Sequence, residues 1–209
     1  MQTILLMNAK GGCGKTTLAT NIATWFADDG AKVALADYDP QGSALDWLQA
    51  REAYEGIPAI EPLDASKGSA KPARGTEVLV IDAPAGTHGN SINQLLRRVD
   101  EVIVPVLPSA IDMRACNRFL SELLGSGRIS RKQTRLAVVA NRVRENTRVY
   151  QQLSDYLGHL ELPFLTHLRE SQAYIRAAES GLGIFELAPS LVWQDVVQWD
   201  PVFDWLRQR

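Results

Sequence analysis

Ile4-Leu5-Leu6-Met7 runs through Asn8-Ala9 into Lys10-Gly11-Gly12-Cys13-Gly14-Lys15-Thr16-Thr17, and an amphipathic stretch from Leu18 to Ala27 follows. Apolar strand, glycine loop and helix, in that order, form the setting of a phosphate cradle. The glycines let successive backbone N–H groups converge on phosphate oxygens without a Cβ in the way. The N-terminus of the following helix adds a partial positive charge. In this setting Lys15 reaches for the β- and γ-phosphates and the Thr16 hydroxyl is a ligand for Mg²⁺. Cys13 and Thr17 complete the loop.

The loop departs from the ordinary phosphate-binding pattern. A glycine is expected five residues before Gly14, where Ala9 stands, and a second lysine, Lys10, precedes the double glycine. This resembles the deviant Walker A motif of the ParA/MinD family of ATPases. The resemblance implies that Lys10 reaches across a nucleotide-sandwich homodimer to the partner's phosphates, and that ATP and Mg²⁺ are the cofactors.

Three further segments extend the resemblance. Leu35-Ala36-Asp37-Tyr38-Asp39-Pro40-Gln41 ends an apolar run with two carboxylates two residues apart, which on a strand point the same way. Ligands of open α/β sheets bind at that strand edge. The segment is similar to the family's D-x-D-P-Q signature, which implies that Asp39 orients the attacking water and Asp37 supports the Mg²⁺ shell. Val78-Leu79-Val80-Ile81-Asp82 reads as a Walker B strand whose carboxylate faces Mg²⁺, usually through water. Gly86 follows where a γ-phosphate-sensing switch would sit, in an Asp-Ala-Pro-Ala-Gly run one residue looser than the family's. Val138-Val139-Ala140-Asn141-Arg142 ends a later strand, and in the family an Asn-Arg pair there contacts adenine. A guanine-specific site prefers Asn-Lys-x-Asp, and the fourth position here is Arg144, so ATP is favoured over GTP. Pro105 to Asp112 matches a family segment near the dimer face, and Leu168-Arg169 through Gly183 matches the segment after the last strand.

The surrounding chain fits this reading. Its 209 residues suit a single P-loop domain, with no DNA-reading domain expected ahead of the first strand. Apolar content of 45% and charged content of 22% are ordinary for a globular core. Lys32–Asp37, Glu77–Asp82, Glu101–Val106 and Arg135–Asn141 read as short buried strands. Met113, Cys116, Leu120, Leu123 and Leu124 share one helical face, as do Val149, Leu153, Tyr156 and Leu157. Such alternation predicts a doubly wound, mostly parallel α/β sheet with helices on both faces. Residues Ser66–Gly75 read as an exposed loop. The two cysteines have neither zinc nor cluster spacing. Neither a membrane span nor a signal peptide is legible, which makes the cytoplasm the expected compartment.

A net charge of −2 excludes a uniformly polyanion-binding surface, so any contact with DNA must be a local patch. Arg128, Arg131, Lys132 and Arg135 cluster before one strand, and Arg142, Arg144 and Arg148 after it. Arg169 and Arg176 lie seven apart, on one face if that segment is helical. The candidates for non-specific double-stranded DNA contact are Arg128, Arg131, Lys132, Arg144, Arg148, Arg169 and Arg176. The C-terminal stretch from Leu191 to Arg209 is amphipathic. Its Asp195, Asp200 and Asp204 argue against the basic membrane-binding tail of MinD-type relatives.

Together these readings predict a ParA-type ATPase, nucleoid-associated, that segregates a plasmid or chromosome with the help of a ParB-like or other cargo adaptor. Positioning of a protein cargo such as carboxysomes or chemoreceptor clusters is the alternative within the same mechanism. A metabolic ligase of the dethiobiotin synthetase kind and a MinD-like membrane regulator are the rivals outside it.

Overall fold

The computed structural model describes residues 1–68 and 71–208. The expected loop 66–75 therefore lies partly outside the described residues, as does Arg209. Along the chain come β1 (Gln2–Leu6), α1 (Lys15–Asp28), β2 (Val33–Asp37), α2 (Ser43–Arg51), β3 (Ile60–Asp64), β4 (Val78–Asp82), α3 (Asn90–Leu95), β5 (Glu101–Val106) and α4 (Ala110–Leu124). Then follow α5 (Gly127–Ser130), β6 (Arg135–Val143), α6 (Arg148–Gly158), β7 (Phe164–Arg169), α7 (Gln172–Glu179), α8 (Pro189–Val196) and α9 (Asp200–Arg207).

The strands form one seven-stranded sheet in the order β3-β2-β4-β1-β5-β6-β7, and every pairing is parallel. Parallel strands need crossover helices, and these cover both faces. Alternation along β1 shows the consequence. Ile4 and Leu6 pack with Leu18 and Ile22 of α1, Trp47 of α2 and Phe203 of α9. Leu5 faces the other core, with Ile92 of α3, Phe119 and Leu123 of α4 and Leu153 of α6. All five residues of β1, β2 and β4 are buried, so apart from Gln2 and Thr3 at the start of β1 and the closing Asp37 and Asp82 these strands read as apolar runs.

Two strands go beyond the sequence reading. β3 and β7 are the sheet's edges. Their residues are only partly buried, so neither carries a continuous apolar signal. Pro62 lies within β3, as an edge strand tolerates. Leu168 and Arg169 belong to the last strand rather than to the segment after it. Leu124 is 44% exposed at the end of α4 and leaves the shared apolar face. The C-terminal stretch packs onto the domain: Pro201 lies in the first turn of α9, Trp199 is fully buried, and Phe203 stacks on Trp25 at 3.9 Å. Among the described residues no helix is long and apolar enough to cross a membrane.

Candidate nucleotide site

Register brings the acidic residues together. Asp82 pairs with Leu6 on one side and with Asp37 on the other, so both carboxylates stand at the strand ends where the glycine loop leaves β1. Gly14 adopts φ 96° just before α1. A Cβ there would lie 2.0 Å from Nδ2 of Asn141. Only glycine permits both the left-handed turn and that approach. Asn141 Nδ2 donates to the Cys13 carbonyl at 2.8 Å, so the amide expected at adenine braces the phosphate loop. Asn8, which sequence reasoning passed over, does the same at the loop's start. Its Oδ1 accepts from the Lys10 N–H at 3.0 Å, and its Nδ2 donates to the Pro105 carbonyl at 2.7 Å.

The donor set fits Mg²⁺. The Thr16 hydroxyl donates to Asp82 Oδ2 at 2.5 Å. Asp82 Oδ1 is buried with no hydrogen-bond partner among the described residues. A buried, unpaired carboxylate oxygen beside a threonine hydroxyl is what a hard divalent cation or its water satisfies. Burial, chiefly, pushes the Asp82 carboxyl up to about 7; the charges of Asp37 and Asp39 add to this, while Thr16 and Lys15 oppose it.

Asp37 is committed elsewhere. Its Oδ2 accepts from the Ala44 and Leu45 N–H groups at the start of α2, and its Oδ1 from the Asp39 N–H. Burial raises its pKa against those hydrogen bonds. Asp37 therefore fixes the Asp39 loop and the N-terminus of α2. Asp39 lines the cleft, with Oδ1 on the Gln41 N–H at 3.0 Å.

The two lysines part company. Lys15 is buried and donates to the Lys10 carbonyl at 3.1 Å. The Lys10 ammonium instead turns to Asp112 on α4, at 3.6 Å. The Cys13 thiol, raised by burial, donates to the same Lys10 carbonyl at 3.3 Å. After Asp82, the Gly86 N–H donates to the Ala9 carbonyl at 2.9 Å, so it is spent within the chain in this arrangement.

A cleft of about 590 Å³ is lined by Gly11, Gly12, Gly14, Lys15, Thr16 and Thr17 on the loop side. Asn141, Arg142 and Glu170 line the other side. Arg142 has φ 53°, within a break of register between β6 and β7. Its guanidinium lies 3.5 Å from Glu170, which also accepts from Arg144 Nε at 2.5 Å. Glu170 had no signal in the sequence; it is defined only by the two arginines that close on it.

The basic candidates do not form one surface. Arg131 and Lys132 precede β6, whereas Arg144 and Arg148 follow it. A nine-residue parallel strand separates them by roughly 26 Å, at opposite ends of β6. Arg128 is tied to Thr134 and to the Val99 and Gln133 carbonyls. Arg169 ends β7 and forms a two-point pair with fully buried Asp195, so it shares no helical face with Arg176 of α7. Arg148 and Arg176 are exposed.

A model of the CobQ/CobB/MinD/ParA nucleotide-binding domain matches residues 4–184. Maintenance of carboxysome distribution protein A of Halothiobacillus neapolitanus is 30% identical over 193 residues, which cover 88% of this chain and 87% of that protein. A plasmid partition protein from Borrelia burgdorferi B31 bound to AMPPNP superposes with a TM-score of 0.75 at 16% identity, covering 97% of this chain and 98% of that one. An McdA variant from Cyanothece in complex with ATP gives 0.72 at 18% identity, covering 97% and 96%. At those identities the two structures speak for the fold. With the family model spanning most of the chain, and the glycine loop, Thr16 and Asp82 assembled on one strand edge, the chain belongs to the ParA/MinD family of nucleotide-binding domains.

Proposed function

We propose that the chain is a ParA-type ATPase that pairs face to face around two ATP molecules and hydrolyses them as a dimer. The observation that carries this reading is the divergence of the two lysines: Lys15 lines its own cleft, while the Lys10 ammonium points to Asp112. A lysine that its own site does not use is available to the phosphates of a second chain. There it stabilises developing charge as an arginine finger does.

Within one chain the loop amides and Lys15 hold the phosphates. Asp39, at the cleft wall, holds the attacking water and receives its proton. Thr16 and Asp82 hold Mg²⁺, which when bound neutralises phosphate charge. Asp37 keeps the Asp39 loop in place through the Asp39 N–H.

The dimer binds double-stranded DNA non-specifically through Arg148 and Arg176, whose side chains are doubled by dimer symmetry. A cargo adaptor, ParB-like or otherwise, stimulates hydrolysis and separates the subunits in a cytoplasmic, nucleoid-associated cycle. The task is cargo segregation or positioning. The 30% identity to a carboxysome distribution protein over 88% of the chain supports a protein cargo beside the plasmid or chromosome reading.

The test is Mg²⁺-dependent ATP turnover as a function of chain concentration, with and without plain double-stranded DNA. A specific rate that rises with concentration and with DNA supports the reading. A rate indifferent to both, with a monomeric ATP complex, would overturn it and return the small-molecule ligase reading.

A further inference from the structure

The Ala83–Gly89 segment after Asp82 starts with the Ala83 N–H on the Leu6 carbonyl and is held at two further points. Midway, the Gly86 N–H is bonded to the Ala9 carbonyl, and Ala85 stands 3.7 Å from where a side chain on Gly11 would begin. At its end, Glu122 of α4 accepts from the Gly89 N–H at 2.6 Å and pairs with His88 Nδ1 at 3.1 Å. The Gly89 N–H and His88 together hold the Glu122 carboxyl below its ordinary range. Gly86 and Gly89 have φ 73° and 59°, so each anchoring N–H sits at a backbone position that resists other residues. The same α4 carries Asp112 against Lys10. Asp112 and Glu122 are ten residues, or about 15 Å, apart on one rigid helix. Segment, phosphate loop and α4 thus close a ring of contacts, each joined to the other two.

We propose that Glu122 is a positioning residue: it keeps the segment where the Gly86 N–H is spent on Ala9, and through α4 it biases Lys10 towards Asp112. Release of Glu122 frees Gly86 for a terminal phosphate and loosens Lys10 at the same time. This rests on the reading that Lys10 serves a second chain, but its first test does not.

Amide exchange is measured on the free chain, without nucleotide or DNA, for wild type, Glu122→Ala and Glu122→Gln. Glu122 is 35% exposed, so the fold tolerates both changes, and equal thermal midpoints verify this. Exchange at Gly86 and Gly89 should rise about ten-fold in the Ala variant and less in the Gln variant, which keeps an acceptor. Exchange at residues 9–11 should rise with it. A change confined to residues 87–90, with 9–11 unmoved, overturns the coupling whatever the ATPase does.

The second arm is a cycle of Glu122→Ala and Asp112→Ala on kcat. Sites this far apart multiply their effects when independent. The proposal expects each change to raise kcat several-fold, with KM for ATP unmoved by Asp112→Ala, and the pair to raise kcat no further than Glu122→Ala alone. A simple product overturns it. Absence of ATPase in the wild type would instead overturn the functional reading, leaving the exchange result to stand.

Discussion

The ammonium of Lys10 lies 3.6 Å from Oδ1 of Asp112, while Oδ2 of the same carboxylate takes the Ser109 hydroxyl. Ser109 caps α4 by accepting from the Asp112 N–H, so the carboxylate is fixed by the helix start rather than by the lysine. Asn8 fixes the Lys10 backbone from the other side. The lysine is thus anchored at its main chain and restrained at its tip by a pair that is 40% exposed on the lysine side. Such a pair is weak enough to exchange for a phosphate.

Asp112→Asn should therefore free Lys10 without touching the cleft. A half-exposed pair of this kind is worth under about 1 kcal/mol, or roughly a two- to five-fold effect. We expect kcat for concentration-dependent hydrolysis to rise by that factor, with KM for ATP unchanged. A fall in turnover would show that Asp112 orients Lys10 productively instead.

Asp82 sets a pH dependence. Its folded pKa of about 7 lies above the ordinary carboxylate value of roughly 3.9. Between those values the folded chain keeps a proton that the unfolded chain has lost, so this group's contribution to stability declines as pH rises through that window. The full loss is on the order of a few kcal/mol. Without Mg²⁺, Asp82→Asn should melt higher than wild type at pH 8 and level with it near pH 4. Adding Mg²⁺ at pH 8 should raise the midpoint of the wild type and leave the variant unmoved. Parallel midpoints across pH would contradict the burial argument.

Gly14→Ala should abolish binding of a fluorescent ATP analogue. The new methyl would strike Asn141 at 2.0 Å, and φ 96° is unfavourable for alanine. Adding Asn141→Ala removes the clash and leaves the backbone strain, so the double variant should stay weak, about ten-fold or more below wild type. Recovery to wild-type binding would make the clash the whole cause.

Arg51 and Glu186 form a buried two-point pair, 5% and 7% exposed, joining α2 to the turn after α7. Arg51 also donates to the Pro58 and Gly181 carbonyls. Removing one partner of such a pair costs about 3 kcal/mol, or roughly 6–12 °C in a chain of this size. Arg51→Met should show that drop in thermal midpoint. A shift below about 2 °C would mean the pair adds nothing beyond packing.

What the sequence disclosed follows from where each signal resides. The central strands β2, β4, β5 and β6 are buried on both faces, so their apolar runs are visible without any partner. β3 and β7 show little because half of each edge strand faces solvent and Pro62 interrupts one of them. Lys10, Lys15, Thr16 and Asp82 were legible because a phosphate loop and a strand-end carboxylate are local patterns. Asp37 was legible as a site carboxylate, but its partners Ala44 and Leu45 were not, and they decide its role. Glu122, Glu170 and Asp195 act through residues 24 to 34 positions away. No local pattern announces them. The arginines show the converse: clusters close in sequence on either side of β6 stand at opposite ends of a strand.

The central claim is that Lys10 serves the other subunit, and mixing Lys10→Ala with Asp39→Ala tests it most directly. Each variant alone should be inactive. In an equal mixture about half the dimers are mixed, and in each of these one site keeps its own Asp39 and receives Lys10 from across the interface. Turnover of about a quarter of wild type is the expected result. A mixture as inactive as its parents, with mixed dimers demonstrably formed, would place Lys10 in its own site and contradict the account.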